Sequence, residues 1–196
     1  MRRAPGILAF CAGLAALLPA MSGAQAATGW SAETARSRLE FSGTLAGGRF
    51  DGRFLRFTPE ITFDAADLAN CRFRVEVDTA SADTQEAERD GMLKGPDFFA
   101  VGRWPTARFE ATRFVQSGPG RFVAHGRLTL RDVTREIALP FRFETAADGR
   151  TATLSGSAAI RRLEFGVGQG EWRDTRWLGD EVEVRFDLAL RLATQP

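Results

Sequence analysis

Histidine and cysteine, the usual ligands of protein-bound zinc and copper, are scarce in this sequence. Its 196 residues contain 1 His and 2 Cys, too few to build an ordinary zinc or copper site within one chain. The Gly-x-Ser-x-Gly elbow of a serine hydrolase is also missing. His125, the single histidine, falls by strand parity on a polar face with Arg121 and Arg127. We therefore expect no metal, no cofactor and no catalytic residue.

Long hydrophobic runs are missing as well, apart from one near the N-terminus. The segment from Ile7 to Leu18 is apolar, follows Arg2 and Arg3, and precedes the small-x-small cleavage pattern Ala24-Gln25-Ala26. A membrane-spanning helix needs about 20 apolar residues, more than this run contains. The pattern predicts a signal peptide over residues 1–26, cleaved near Ala26. A mature domain of residues 27–196 would then lie in the periplasm without stable membrane insertion.

A surplus of positive charge is absent too. Without Arg2 and Arg3 the chain carries 24 basic and 25 acidic residues, whereas nucleic-acid-binding proteins need basic residues to displace counterions. We therefore expect no nucleic-acid partner. Removal of Cys11 with the signal peptide would leave Cys71 alone, so no intrachain disulfide could form. Cys71 shares strand parity with Phe73 and Val75, which predicts a buried, unpaired thiol.

What the sequence does contain is apolar residues with a period of two. The alternation predicts half-buried β-strands, and Gly-rich turns separate them. About eight strands are expected, near residues 36–44, 49–62, 71–78, 107–115, 121–130, 136–143, 152–160 and 181–192. One interruption predicts a short helix from Thr84 to Leu93, with Asp83 as its N-cap and Gly95-Pro96 at its end.

Alternation alone does not separate a β-sandwich from a closed barrel. The apolar face mixes phenylalanines with the small residues Ala124, Gly126, Gly156 and Ala158. Small residues suit a close-packed core, and they equally suit an eight-stranded barrel with room for one small ligand. Both architectures remain open at this level.

Motifs spread along the mature chain carry a family resemblance. They are Ser37-Arg38-Leu39-Glu40-Phe41, Phe50-Asp51-Gly52-Arg53-Phe54, Arg89-Asp90 with Leu93, Asp97-Phe98-Phe99 followed by Trp104-Pro105, Gly126-Arg127-Leu128-Thr129-Leu130, and Phe165-Gly166-Val167-Gly168. In this arrangement the chain resembles the YceI family of periplasmic lipid-binding proteins. Asp132 stands where the family pattern has glycine, and Leu163-Glu164 stands where it more often has Ser-Asp.

The resemblance implies an all-β fold, an eight-stranded antiparallel lipocalin-like barrel with one short helix. It also implies binding, transport or storage of a long-chain isoprenoid lipid, such as a polyprenol, a polyprenyl phosphate or a quinone, without enzymatic activity. The expected ligand is this isoprenoid or another lipid. A second copy of the chain is a further expected partner, in a homodimer. Two alternatives are an enzyme acting on such a lipid and a stress-response interaction protein with a solid barrel.

Aromatic residues on the predicted apolar faces and in the motifs are the expected ligand contacts, with plain core packing as the alternative for each. They are Phe54, Phe73, Phe98, Phe99, Trp104, Phe109, Phe141, Phe165, Trp172 and Trp177. An elongated apolar tunnel is expected to run through the barrel, with Gly126, Gly156 and Ala158 making room for the ligand.

Overall fold

The alternating segments form β-strands in residues 28–193, the part of the chain that the computed structural model describes. The predicted signal peptide, including Cys11, lies outside the described residues. The strands are β1 Gly29–Ala32, β2 Arg38–Leu45, β3 Gly48–Phe54, β4 Phe57–Thr62, β5 Arg72–Asp78, β6 Ala82–Asp83, β7 Thr106–Gly118, β8 Arg121–Leu130, β9 Val133–Thr145, β10 Thr151–Arg161 and β11 Glu181–Leu192. One α-helix, α1 Ala87–Lys94, lies between β6 and β7.

Eight of these strands close into an antiparallel barrel. Their order around the ring is β1, β4, β5, β7, β8, β9, β10 and β11, and pairing of β11 with β1 closes the ring. Strands β2, β3 and β6 extend the wall beyond β11 at one end of the barrel. The predicted eight-stranded antiparallel barrel is therefore confirmed, and the sandwich is excluded.

The segment from residue 49 to 62, predicted as one strand, is broken into β3 and β4 by a bend. Ser81 holds this bend from the neighbouring segment. Its carbonyl accepts a hydrogen bond from the Leu55 N–H at 3.1 Å, and its hydroxyl accepts one from the Arg56 N–H at 3.0 Å. The break thus depends on a tertiary contact, which strand periodicity does not reveal.

The helix begins later than the sequence predicts. Gln85 has a φ of +59°, which ends any helical path from Thr84. Glu86 is the N-cap, and its carboxylate accepts hydrogen bonds from the N–H groups of Glu88 and Arg89 at 3.0 and 2.9 Å. Asp83 instead pairs with Arg53 on β3. No helix within residues 28–193 has the length and hydropathy needed to cross a membrane.

One half of the barrel interior is a solid aromatic core. Phe63, 1% exposed, lies at its centre, with ring centroids 5.0 Å from Phe122, 5.3 Å from Phe141 and 4.6 Å from Phe143. Most of these pairs meet edge-on or tilted, the arrangements that aromatic rings prefer. Trp30 joins the core, and its indole N–H donates to the Phe63 carbonyl at 2.9 Å. We call this half the aromatic plug.

Cys71 provides a test of the plug, because its side chain is 3% exposed and packs in the same cluster. Burial raises the pKa of the Cys71 thiol, and the thiolate is the reactive form. In a Cys11→Ser variant we expect no labelling of the native protein by a thiol reagent, and one label per chain after denaturation. The labelled fraction is measured by intact mass. Rapid labelling of the native protein would contradict the burial of Cys71.

Candidate functional site

The other half of the barrel interior is hollow. A cavity of about 240 Å³ lies there, lined by strands β2 to β5 and β7 to β11, by α1 and by the loops next to α1 and β11. This volume is somewhat below the roughly 300 Å³ at which the usual range of small-molecule pockets begins. The cavity therefore suits one narrow ligand.

The cavity is closed at one end by the aromatic plug. On β8, Leu128 and Leu130 line the cavity, whereas Phe122 belongs to the plug. On β9, Ile137 and Leu139 line it, and the following inward residues pack in the plug. The expected tunnel through the barrel is therefore corrected to a blind cavity, because aromatic rings meeting across the barrel fill its far half.

The end of the cavity away from the plug, which we call the mouth, is covered by α1. Phe98 and Phe99 follow α1 and line the cavity, and the segment from Arg162 to Asp180 covers it from the other side. The carbonyl of Asp97 links the two segments, because it accepts hydrogen bonds from the N–H groups of Gly168 and Gln169 at 2.7 and 2.8 Å. Ring centroids of Phe98 and Trp172 lie 5.6 Å apart across this junction.

The surface of the cavity wall is almost entirely apolar, although three arginines, Arg89, Arg108 and Arg162, contribute atoms to it. Arg108 lies on β7 and pairs with Glu76 on β5 at 2.8 Å. Arg162 is 4% exposed, and burial lowers the pKa of its guanidinium. Arg89 lies in the first turn of α1.

Arg162 organises the loop that covers the mouth. Its five N–H groups donate to the carbonyls of Val167, Gly168, Trp172, Leu178 and Gly179 at 2.6 to 3.2 Å. The loop can wrap the guanidinium this closely because residue 168 is glycine. Any Cβ there would collide with Nη1 of Arg162, and the backbone φ of +79° at this position also favours glycine. The glycines of residues 166–170 therefore shape this loop.

Six of the ten predicted ligand contacts lie in the cavity wall. They are Phe54, Phe73, Phe98, Phe99, Phe109 and Trp172. The phenylalanines come from β3, β5 and β7 and from the segment after α1, and Trp172 comes from the loop before β11. That these six residues contact a ligand stays a prediction.

The other four predicted contacts lie outside this wall. Phe141 belongs to the plug, and Phe165 is 2% exposed in the core beside the loop. Trp104 lies under the guanidiniums of Arg103 and Arg131, at 4.5 and 4.6 Å from its ring centroid. Trp177 is 61% exposed. Residue type alone did not show whether each ring would lie inside or outside the barrel, or in which half of the barrel it would lie.

Aliphatic residues form most of the remaining wall. The predicted ligand contacts did not include them because only aromatic residues were chosen. Val75 and Val77 on β5 and Val182 and Val184 on β11 are examples. All four lie on the inward parity that the alternation predicts. They face the cavity because they lie away from the plug, and sequence periodicity gives no information about that distance. Arg89 was missed for a different reason, because it comes from the helix.

The small residues expected to make room have different roles in the structure. Ala158 lines the cavity, but Gly126 and Gly156 do not. A Cβ at Gly126 would lie 2.8 Å from the ring of Phe109 and collide with the Glu110 carbonyl. These two glycines therefore allow close packing of neighbouring strands and rings, and only Ala158 leaves space for a ligand.

Comparison with known proteins finds similar chains over most of this length. The profile of the YceI-like domain family matches residues 30–190. A UPF0312 protein of Vibrio parahaemolyticus is 32% identical over 165 residues, which cover 81% of this chain and 87% of the relative. The crystal structure of Burkholderia cenocepacia BcnA has a TM-score of 0.78 at 28% identity and covers 84% of this chain and 100% of its own.

A further solved structure shares the fold at lower identity. It is described as a polyisoprenoid binding domain from Saccharophagus degradans implicated in plant cell wall breakdown. Its TM-score is 0.68 at 13% identity, and the match covers 85% of this chain and 99% of that domain.

Proposed function

The chain belongs to the YceI-like domain family, and from that premise we propose that it binds a single long-chain isoprenoid lipid in the barrel cavity. The observation that carries the proposal is the blind apolar cavity, which occupies half of the barrel and is bordered by α1. The fold shared with a polyisoprenoid binding domain supports the choice of ligand class.

The wall matches a hydrocarbon chain in chemistry and shape. Each methylene moved from water into an apolar site contributes about 0.8 kcal/mol, so ten buried carbons contribute about 8 kcal/mol before costs. The entropy lost on association and on chain ordering reduces this value. Affinity near the micromolar range is therefore expected for a chain that fills the cavity.

Transport or storage of the lipid in the periplasm completes the proposal. It rests on the signal-peptide pattern that ends at Ala24-Gln25-Ala26. A protein that covers an apolar chain allows that chain to cross an aqueous compartment. Family membership and the shared fold favour a binding protein over an enzyme. The cavity disfavours the alternative of a solid barrel.

Mass spectrometry of bound lipid tests this proposal directly. Protein purified from the periplasm without detergent should yield, after organic extraction, a molecule with an isoprenoid mass series at up to one per chain. The stoichiometry is checked by native mass spectrometry of the same sample. An intact mass that begins at Ala27 tests the processing. Protein without extractable lipid that also fails to take up a prenyl alcohol would contradict the proposed function.

A further inference from the structure

The barrel wall has a slit between β9 and β10, in the half that holds the cavity. Within the described chain, the ladder between these two strands ends at the pair of Gly156 and Phe141. Past this pair each strand keeps its other neighbour, because β9 pairs with β8 as far as Val133 and β10 pairs with β11 as far as Arg161. Residues 157–161 of β10 border the slit, which at roughly 3.3 Å per residue is about 16 Å long.

Pro140 explains why the ladder stops at this point. The N–H of Phe143 donates to the Gly120 carbonyl at 3.1 Å, on the β8 side of β9. The N–H of Ala146, directly after β9, donates to the Thr151 carbonyl at 2.9 Å, on the β10 side. Since N–H groups along a strand alternate between its two neighbours, even-numbered residues of β9 face β10. Residue 140 is the next even position past the last pair, and a proline has no N–H to donate there.

A single layer of side chains separates the slit from the cavity. A groove of about 470 Å³ runs along the outer surface between the two strands, and the exposed Ala138 and Ala159 are among the residues that line it. Ile137, Ala158 and Ile160 line both this groove and the cavity. All three are apolar, so a hydrocarbon chain that passes between them would stay in contact with apolar surface.

The mouth is held closed by hydrogen bonds that the slit does not have. Arg162 donates five hydrogen bonds within the loop that covers the mouth, and the Asp97 carbonyl joins this loop to the segment after α1. Opening the mouth would leave these groups unsatisfied, which costs free energy. Moving residues 133–140 away from residues 157–161 breaks no ladder pairing between these two described segments.

Arg131 closes the end of the slit that lies beside the mouth. It lies in the turn between β8 and β9 and donates to the carbonyls of Gly166 and Phe98 at 2.5 and 2.7 Å. Because Gly166 follows β10 in the chain, this guanidinium joins the two sides of the slit. The Trp104 ring centroid lies 4.6 Å from it and packs against it. The slit is therefore fixed at both ends, by this contact and by the plug, and can widen between them.

We propose that the lipid enters and leaves the cavity sideways, through the slit between β9 and β10, and not through the mouth. This inference rests on the proposed function, because it names the route of the same ligand. The lipid passes between the side chains of Ile137, Ala158 and Ile160 while α1 and the mouth loop stay in place. Pro140 keeps the route open, since a residue with an N–H at this position would extend the ladder.

The test is a reversible cross-link across the slit. Ala138→Cys/Ala159→Cys, in a Cys11→Ser chain, places two thiols on exposed residues that would be paired if the ladder continued in register. A bis-methanethiosulfonate joins them, and dithiothreitol releases them. Thr129→Cys/Thr134→Cys is the matched control, because this pair joins β9 to β8 instead. Tryptophan fluorescence follows the uptake of geranylgeraniol and its release to phosphatidylcholine vesicles.

The cross-link across the slit should slow uptake and release at least about tenfold each, which corresponds to a barrier higher by about 1.4 kcal/mol. The Kd should stay unchanged, because the route is blocked and the cavity is not. Dithiothreitol should restore both rates, and the control cross-link should change neither. Unchanged rates in protein whose cross-link is verified by intact mass would overturn the slit as the route and leave the proposed function standing. Failure of the protein to bind geranylgeraniol before cross-linking would overturn the proposed function itself.

A second variant tests the same route without a cross-link. Pro140→Val supplies the missing N–H, so it should extend the ladder, protect the Ala138 amide from hydrogen exchange and slow both uptake and release. Pro59→Val is its control, because the pairing of β4 with β5 already runs through Pro59. An extended ladder with unchanged rates would contradict the route. An Ala138 amide that exchanges as fast as in the wild type would overturn the role of Pro140.

Discussion

Ala158→Phe is expected to weaken lipid binding about 100-fold while the barrel stays folded. Ala158 lines the cavity and is paired with Val184 on β11, whereas the ladder between β9 and β10 ends at Gly156. The benzyl group would occupy the space of roughly four methylenes, each worth about 0.8 kcal/mol to the ligand. Because β10 has no ladder pairing with β9 at Ala158, the wall can adjust there to the larger residue. Titration with geranylgeraniol measures the loss.

Gly156→Ala is the matched control two residues away on the same strand. A Cβ there would collide with the Pro140 carbonyl and lie 2.7 Å from Cζ of Phe186. We expect this small change to lower the free energy of unfolding by about 1 to 3 kcal/mol, the usual cost of overpacking. Urea unfolding measures it. Unchanged lipid affinity in Ala158→Phe would show that the cavity is not the binding site.

Arg162→Met is expected to produce the largest loss of stability, about 3 to 5 kcal/mol. The change removes five donors and leaves five carbonyls of the mouth loop without them, and unsatisfied buried groups cost about 1 to 3 kcal/mol each. Some of these carbonyls would reach water once the loop opens, which limits the total. Val167, Trp172 and Leu178 belong to this loop and line the cavity, so lipid binding should also fall.

Arg161→Met is the control for this prediction, because Arg161 is the preceding residue and is exposed. It should change the free energy of unfolding by less than about 0.5 kcal/mol. Arg162→Lys should remain strongly destabilised, since an ammonium has three donors for five carbonyls. Equal stability of the Arg161 and Arg162 variants in urea would contradict the role of Arg162 as the organiser of the loop.

Strand positions were predictable from the sequence because parity is a local property. Alternation placed Phe73, Leu128 and Val184 on inward faces, and the structure finds each of them in the cavity wall. The bend at Leu55 and Arg56 was not predictable, since it depends on Ser81 from another segment. The helix start was misplaced by three residues because Asp83 and Glu86 are both plausible caps, and Arg53 on β3 pairs with Asp83.

The sequence by itself determined the strands, which side chains point inward, and the apolar character of the interior, because these depend on each residue and its immediate neighbours. The tertiary structure alone decided which inward residues fill space and which border it. Phe141 and Phe109 have the same residue type and the same inward parity, yet the first packs in the plug and the second lines the cavity. The reason is that cavity position depends on distance along the barrel axis and on side chains from opposite strands, and neither is encoded in a local repeat.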